Sequence, residues 1–241
     1  MISKQKIARI SGALYFAFLV FSGFSQLIRS KLIIADNVIA TVNNIKMSEL
    51  LFRISIVSDL IGFTTYVFTA LFLYRLLKSV DKTYALLMVV LVFVGVPIAM
   101  LNILNLYAPV FLLSGMDYLK VFDANLLNAQ VMLFLNLYEQ GTRIAGIFWG
   151  LWLIPFGYLI FKSKFLPKIL GILLIVGSFG FVFEFLVYFL LPDYKVITYP
   201  GMAIGAIAEL STIFWLVVFG IKDGQQISSA NGSAVSVRRK S

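Results

Sequence analysis

The chain has 241 residues, of which 61% are hydrophobic and only 13% charged, against about 25% charged in a soluble domain. A soluble core cannot hide that much apolar surface, so the surplus faces lipid. The net charge of +9 sits in short clusters between apolar runs, which excludes nucleic acid as a partner, and the absence of Cys and His excludes disulfides, thiol or imidazole catalysis and most zinc sites.

A spanning helix needs about 20 apolar residues. The first is residues 7–28. Nineteen uncharged residues lie between Arg9 and Arg29, with Lys4 and Lys6 ahead of them. A run of that length without a small-residue cleavage site reads as an uncleaved helix rather than a signal peptide. Residues 29–49 form a polar connection lying in water, with 32–34 at the interface. Ser48 and Glu49 mark a helix start, a capping oxygen followed by an acid. The second span is 50–77, and a tight turn over 79–83 leads to the third, 84–107, which Pro97 should bend. Residues 117–128 read either as an interfacial helix or as the helical start of the next span.

The fourth span, 131–161, exceeds what the membrane requires. It tilts, bends at Pro155 or projects into water. A short turn with Lys162, Lys164 and Lys168 precedes the fifth span, 169–191. A second short turn over 193–198 precedes the sixth, 199–221. Gly201, Gly205 and Ala206 make a small-residue ridge suited to close helix contact. Gly141, Gly146 and Gly150 also read as packing glycines. Residues 1–222 are thus one all-α integral membrane domain of six transmembrane helices. Residues 223–241, rich in Ser, Gly and Asn, read as a disordered basic tail.

Charge asymmetry orients the chain. One set of span ends carries Lys4, Lys6, Arg9, Arg75, Lys78, Lys82, Lys162, Lys164, Lys168, Lys222, Arg238, Arg239 and Lys240. The other carries only Arg29, Lys31, Lys46, Lys120 and Lys195. Thirteen against five places both termini, and the tail, in the cytoplasm. The hairpins ending in Lys78-Ser79 and Lys162-Ser163 echo one another, each with a charge nineteen residues before its Lys-Ser pair, Asp59 and Arg143. Duplication and convergence on one membrane constraint both account for that echo.

Charge inside a span is costly and normally pairs, faces a cavity or serves a function. Asp59, Glu139, Glu184 and Glu209 are the acids in the spans, and Arg53 and Arg143 join them. Helix rise puts Glu209 about 20 Å above the lysine-rich anchor, Asp59 and Glu184 about 24 Å and Arg143 about 28 Å. Asn102 and Glu139 stand higher, and Gln26 adds a polar group from the first span. Glu139 and Arg143 share a face four residues apart. Asp59 is expected to pair across helices with Arg143, leaving Glu139 freer to meet a ligand. Three readings account for these groups: a polar pocket open to the outside, helix ends projecting past the lipid, and a buried structural network.

No H-E-x-x-H, G-x-S-x-G or phosphate-loop motif occurs. A proton-coupled transporter needs a membrane carboxylate, for which Glu209 is the best candidate, but the nearly featureless lysine-rich half of the spans argues against passage.

The runs Ala8-Arg9-Ile10-Ser11-Gly12-Ala13-Leu14-Tyr15, Leu51-Phe52-Arg53-Ile54, Ser58-Asp59-Leu60, Leu73-Tyr74-Arg75-Leu76-Leu77 and Leu112-Leu113-Ser114-Gly115 resemble a known family. So do Gly150-Leu151-Trp152-Leu153-Ile154-Pro155, Gly157-Tyr158-Leu159, Phe165-Leu166-Pro167 and Leu170-Gly171. The family is a bacterial one of multi-pass membrane proteins, catalogued as domain of unknown function 4386. The resemblance spans about residues 8–180. It implies a bacterial integral membrane protein, carries no activity to transfer, and encloses Arg53 and Asp59; the expected location is the inner membrane.

The expected function is non-enzymatic binding or transport of a small polar solute or lipid headgroup, or another amphiphile, in an outward-facing pocket. The candidates are Arg53, Asp59, Asn102, Glu139, Arg143, Glu184 and Glu209, with no metal or cofactor. The alternatives are a membrane scaffold or regulatory subunit with structural charges and, third, an intramembrane enzyme working with carboxylates.

Overall fold

The structure is a computed structural model and describes residues 3–221. The expected tail over 223–241, together with Lys222, lies outside the described residues. Eight α-helices follow one another: α1 (Lys4–Leu32), α2 (Val38–Met47), α3 (Glu49–Leu77), α4 (Lys82–Leu112), α5 (Ala124–Leu151), α6 (Leu153–Lys162), α7 (Lys168–Leu190) and α8 (Tyr199–Val218). No strand occurs among the described residues. Six helices there, counting α5 and α6 as one and joining α8 to the turn before it, are long and apolar enough to cross a membrane. This is the architecture of a multi-pass membrane protein. Its outer faces present bare apolar side chains, with Leu101 69% exposed and Phe179 65%.

Helix starts follow local chemistry. Ser3 accepts from the Lys6 amide, Asp81 from Thr83 and Tyr84, and Asp123 from Leu126. Ser48 departs from the expected cap. It makes no capping bond, because it ends α2 as it begins α3, and Glu49 pairs with Arg53 instead. The helices also outrun the apolar runs that announce them. Backbone hydrogen bonding continues wherever side chains on one face still find partners, so α1 reaches Leu32 and carries Arg29 inside the bundle.

The fourth span is interrupted, one of the three outcomes its length allows. Pro155 lacks the N–H that would bond the carbonyl of Leu151, and the helix is interrupted at Trp152. α4, by contrast, passes through Pro97 and Pro109 as one helix. Residues 117–128 are not an interfacial helix: a short 3-10 turn, Asp117–Leu119, precedes the start of α5.

The connection over 29–49 is the larger correction. It is not a loop in water but contains α2, whose Thr41, Val42 and Ile45 are buried against the bundle. The hydroxyl of Thr41 receives the Ile34 amide at 2.9 Å, and the Asn44 amide reaches the Leu32 carbonyl at 3.3 Å. Asp36, at φ 58°, turns the chain between α1 and α2.

The spans close into a ring. α1 packs on α3, α3 on α4, α4 on the α5–α6 span, that span on α7, α7 on α8, and α8 back on α1. Lipid tails are as apolar as leucine, so the ring is held by close packing and by the few polar contacts rather than by hydrophobic burial. A Cβ at Gly177 would lie 2.6 Å from the Cα of Gly205, and Gly180 meets the Gly201 backbone as closely. The expected ridge is therefore the α7–α8 contact, although Ala206 is exposed. Gly150 abuts Phe181 and Gly141 abuts Asn102, whereas Gly146 has no close neighbour. At the centre, Trp152 is fully buried with its ring centroid 5.6 Å from Tyr15, 5.2 Å from Tyr66 and 5.0 Å from Phe156.

Candidate functional site

Two cavities open at the lysine-poor end of the bundle, opposite residues 3 and 221. The larger, of about 880 Å³, lies between the end of α1, the turn into α2 and the middle of α5. Arg29, Tyr138, Glu139 and Arg143 are among its polar lining residues, and Ile33, Val38, Met132 and Leu135 among its apolar ones.

Its floor is an ion pair. The Arg29 guanidinium donates to the Asp59 carboxylate at 2.6 Å, with both side chains less than a tenth exposed. The same guanidinium donates to Ser25, whose hydroxyl donates to the carbonyl of Ser55. Tyr138 donates its hydroxyl to Asp59 at 3.1 Å, and its ring lies 5.3 Å from the Arg29 guanidinium carbon. Three helices, α1, α3 and α5, thus meet at one carboxylate. Asn102 of α4 fixes α5 from behind: its amide donates to the Tyr138 carbonyl at 2.7 Å and to the Thr142 hydroxyl at 3.2 Å. Asn102 fits because Gly141 leaves room for it.

The side wall is a second cluster. Arg143 donates to Glu184 of α7 and, at 3.2 Å, to Glu139 one turn away. Its guanidinium lies 3.6 Å from the Tyr188 ring centroid, a ring that Lys195 also approaches at 4.6 Å. Arg143, Glu184, Tyr188 and Lys195 line a smaller cavity of about 110 Å³, so Arg143 borders both.

The expected Asp59–Arg143 pair is therefore replaced by Asp59–Arg29 and Arg143–Glu184. In the sequence Arg29 looks like a flanking charge, because the apolar run stops before it. A signal for its burial exists: Ser22, Ser25, Gln26 and Arg29 recur at three- and four-residue spacing, a polar stripe down one helical face. The candidates also fail to converge on one void. Glu139 and Arg143 line the large cavity, Asp59 and Asn102 stand behind it, and Glu184 lines the small one. Arg53 lies elsewhere, bound to Glu49 at 2.7 Å and to the Tyr107 hydroxyl at 2.8 Å, half in solvent as a helix-end pair. Glu209 faces α1, where Tyr15 donates to it beside the aromatic core. Among the described residues no group of three or more His, Cys, Asp or Glu side chains forms a metal-binding cluster.

The profile of the family described as Domain of unknown function (DUF4386) matches residues 10–220. The chain belongs to that family. The DUF4386 match runs on past residue 180 and takes in all of the fifth and sixth spans, so all seven candidate residues fall within it. An uncharacterized protein of Archaeoglobus fulgidus is 31% identical over 83 residues, which cover 34% of this chain and 48% of the relative. The match spans about half the length of that curated relative. No solved structure matches this DUF4386 chain.

Proposed function

We propose that this DUF4386 protein binds a small polar or amphiphilic ligand in the larger cavity, and that the cavity opens to the outside of a cytoplasmic membrane with both chain ends in the cytoplasm. The observation that carries the reading is the cavity itself. At about 880 Å³ it lies within the range of roughly 300–1,000 Å³ usual for small-molecule sites. Its lining combines apolar and polar side chains, as an amphiphile requires. The lysine distribution supports the orientation. The resemblance to a bacterial family supports an inner membrane.

Binding without passage is the favoured form. Trp152, Tyr15, Tyr66 and Phe156 fill the bundle on the lysine-rich side of the cavity. Transport needs a second state in which that plug has moved. The scaffold reading has an observation of its own: each charged candidate already has a partner, Arg53 with Glu49, Asp59 with Arg29, Arg143 with Glu139 and Glu184, and Glu209 with Tyr15.

Native mass spectrometry of gently extracted protein separates the two. The binding reading expects a co-purifying mass in the wild type that is lost in Met132→Trp, which adds bulk to the apolar lining, while the variant stays folded. Wild-type protein that retains no species across lipid and metabolite screens would replace the binding reading with the scaffold.

A further inference from the structure

We infer that the occupant of the larger cavity carries a protonated amine on an apolar body. The inference rests on the binding reading above and names the chemical class of the ligand.

The cations of the cavity are already neutralised. Two of them line it, Arg29 and Arg143. Each faces an acid that stands outside the lining. Asp59, itself buried, takes Arg29 at 2.6 Å, and Glu184, mostly buried, takes Arg143. Arg29 directs a further donor to Gln26 at 3.2 Å. With these pairs closed, the arginines present no net positive charge to a ligand.

The two acids of the lining are differently placed. Glu139 has Arg143 as its partner at 3.2 Å, on a guanidinium already held by Glu184, and its side chain is 55% exposed. Asp36 is exposed at the turn into α2 and makes no ion pair among the described residues. The lysines closest in sequence, Lys31 and Lys46, are exposed and do not line the cavity. The lining is therefore net negative once its inner pairs are counted, and it also contains the apolar side chains of Ile33, Val38, Met132 and Leu135. An anion entering here meets two carboxylates in the lining, where both arginines already have acid partners. An ammonium entering here is attracted by both carboxylates of the lining.

The test compares hexylamine, hexanol and hexanoate at neutral pH, which share one apolar body and differ in charge. Fluorescence-monitored unfolding of the purified protein in a neutral detergent gives apparent Kd values. The expected result is tighter binding of hexylamine than of hexanol by about tenfold, the factor that about 1.4 kcal/mol represents. Hexanoate should bind no better than hexanol. Glu139→Gln should remove most of the advantage of hexylamine and leave hexanol unchanged. Asp36→Asn, in a turn outside the bundle, does the same to a lesser degree and guards against misfolding of the first variant.

Hexanol or hexanoate binding as well as hexylamine, in a manner lost in Met132→Trp, overturns the amine and leaves the binding reading standing. If none of the three produces a shift that Met132→Trp removes, both readings fall. Mixed nanodiscs identify the source of the amine. Phosphatidylethanolamine retained over phosphatidylglycerol by wild type, and not by Glu139→Gln, assigns a lipid amine. Hexylamine binding without that enrichment assigns a soluble one.

Discussion

Arg29 enters the bundle against a large desolvation cost, which its bonds to Asp59, Ser25 and Gln26 offset. Removing one member of such a pair strands the other. Asp59→Asn should therefore destabilise the protein by about 3 kcal/mol, and the double change Arg29→Met with Asp59→Leu should recover most of that loss. Denaturant unfolding in detergent, run as a double-mutant cycle, measures both. Arg53→Ala provides the contrast. Its pair with Glu49 is half in solvent, and its loss should barely move the same curve. Asp59 was legible in the sequence as a charge needing a partner, because it is the one charged residue in the middle of its span. The identity of the partner was not, because pairing depends on how far α1 runs and which way it is turned. Neither is visible in hydropathy.

Elements were legible where lipid alone sets the pattern and illegible where packing does. Six spans follow from apolar length, and the break near Pro155 follows from a missing N–H. α2 does not, since Asn43 and Asn44 look like water-facing residues until Thr41, Val42 and Ile45 are seen to share the buried face. The α7–α8 contact belongs to the legible kind, because glycine weakens a helix and suits an apolar span where a neighbouring backbone comes close. Gly177→Ala pushes a methyl against the Gly205 backbone and should cost about 1–3 kcal/mol. Gly23→Ala, with nothing within 4 Å of the new carbon, should cost nothing measurable. Paired thermal unfolding curves of the two variants check the contrast.

At the scale of the molecule, the proposed orientation is directly testable because the chain has no native Cys. A membrane-impermeant maleimide applied to intact cells should label Lys31→Cys and spare Ser79→Cys, which should react only after lysis. The reverse pattern would put the cavity on the cytoplasmic side and end the outward-facing reading. The cavity was legible only in part. Glu139 and Arg143 share a helix face and announce themselves, but its remaining walls come from α1 and the turn into α2, segments whose meeting is a matter of tertiary packing.

The two described ends of the chain are clasped together. Gln5 donates to the Phe219 carbonyl and accepts from the Ile221 amide, so α1 and α8 are neighbours at their tips as well as along their length. A ring closed in this way has no first helix and no last. A gene rearranged to begin at the turn between α3 and α4, with a short linker from residue 221 to residue 3, should leave the helix contacts in place. The order in which the spans are made is then a matter of synthesis, and the assembled protein keeps no record of it.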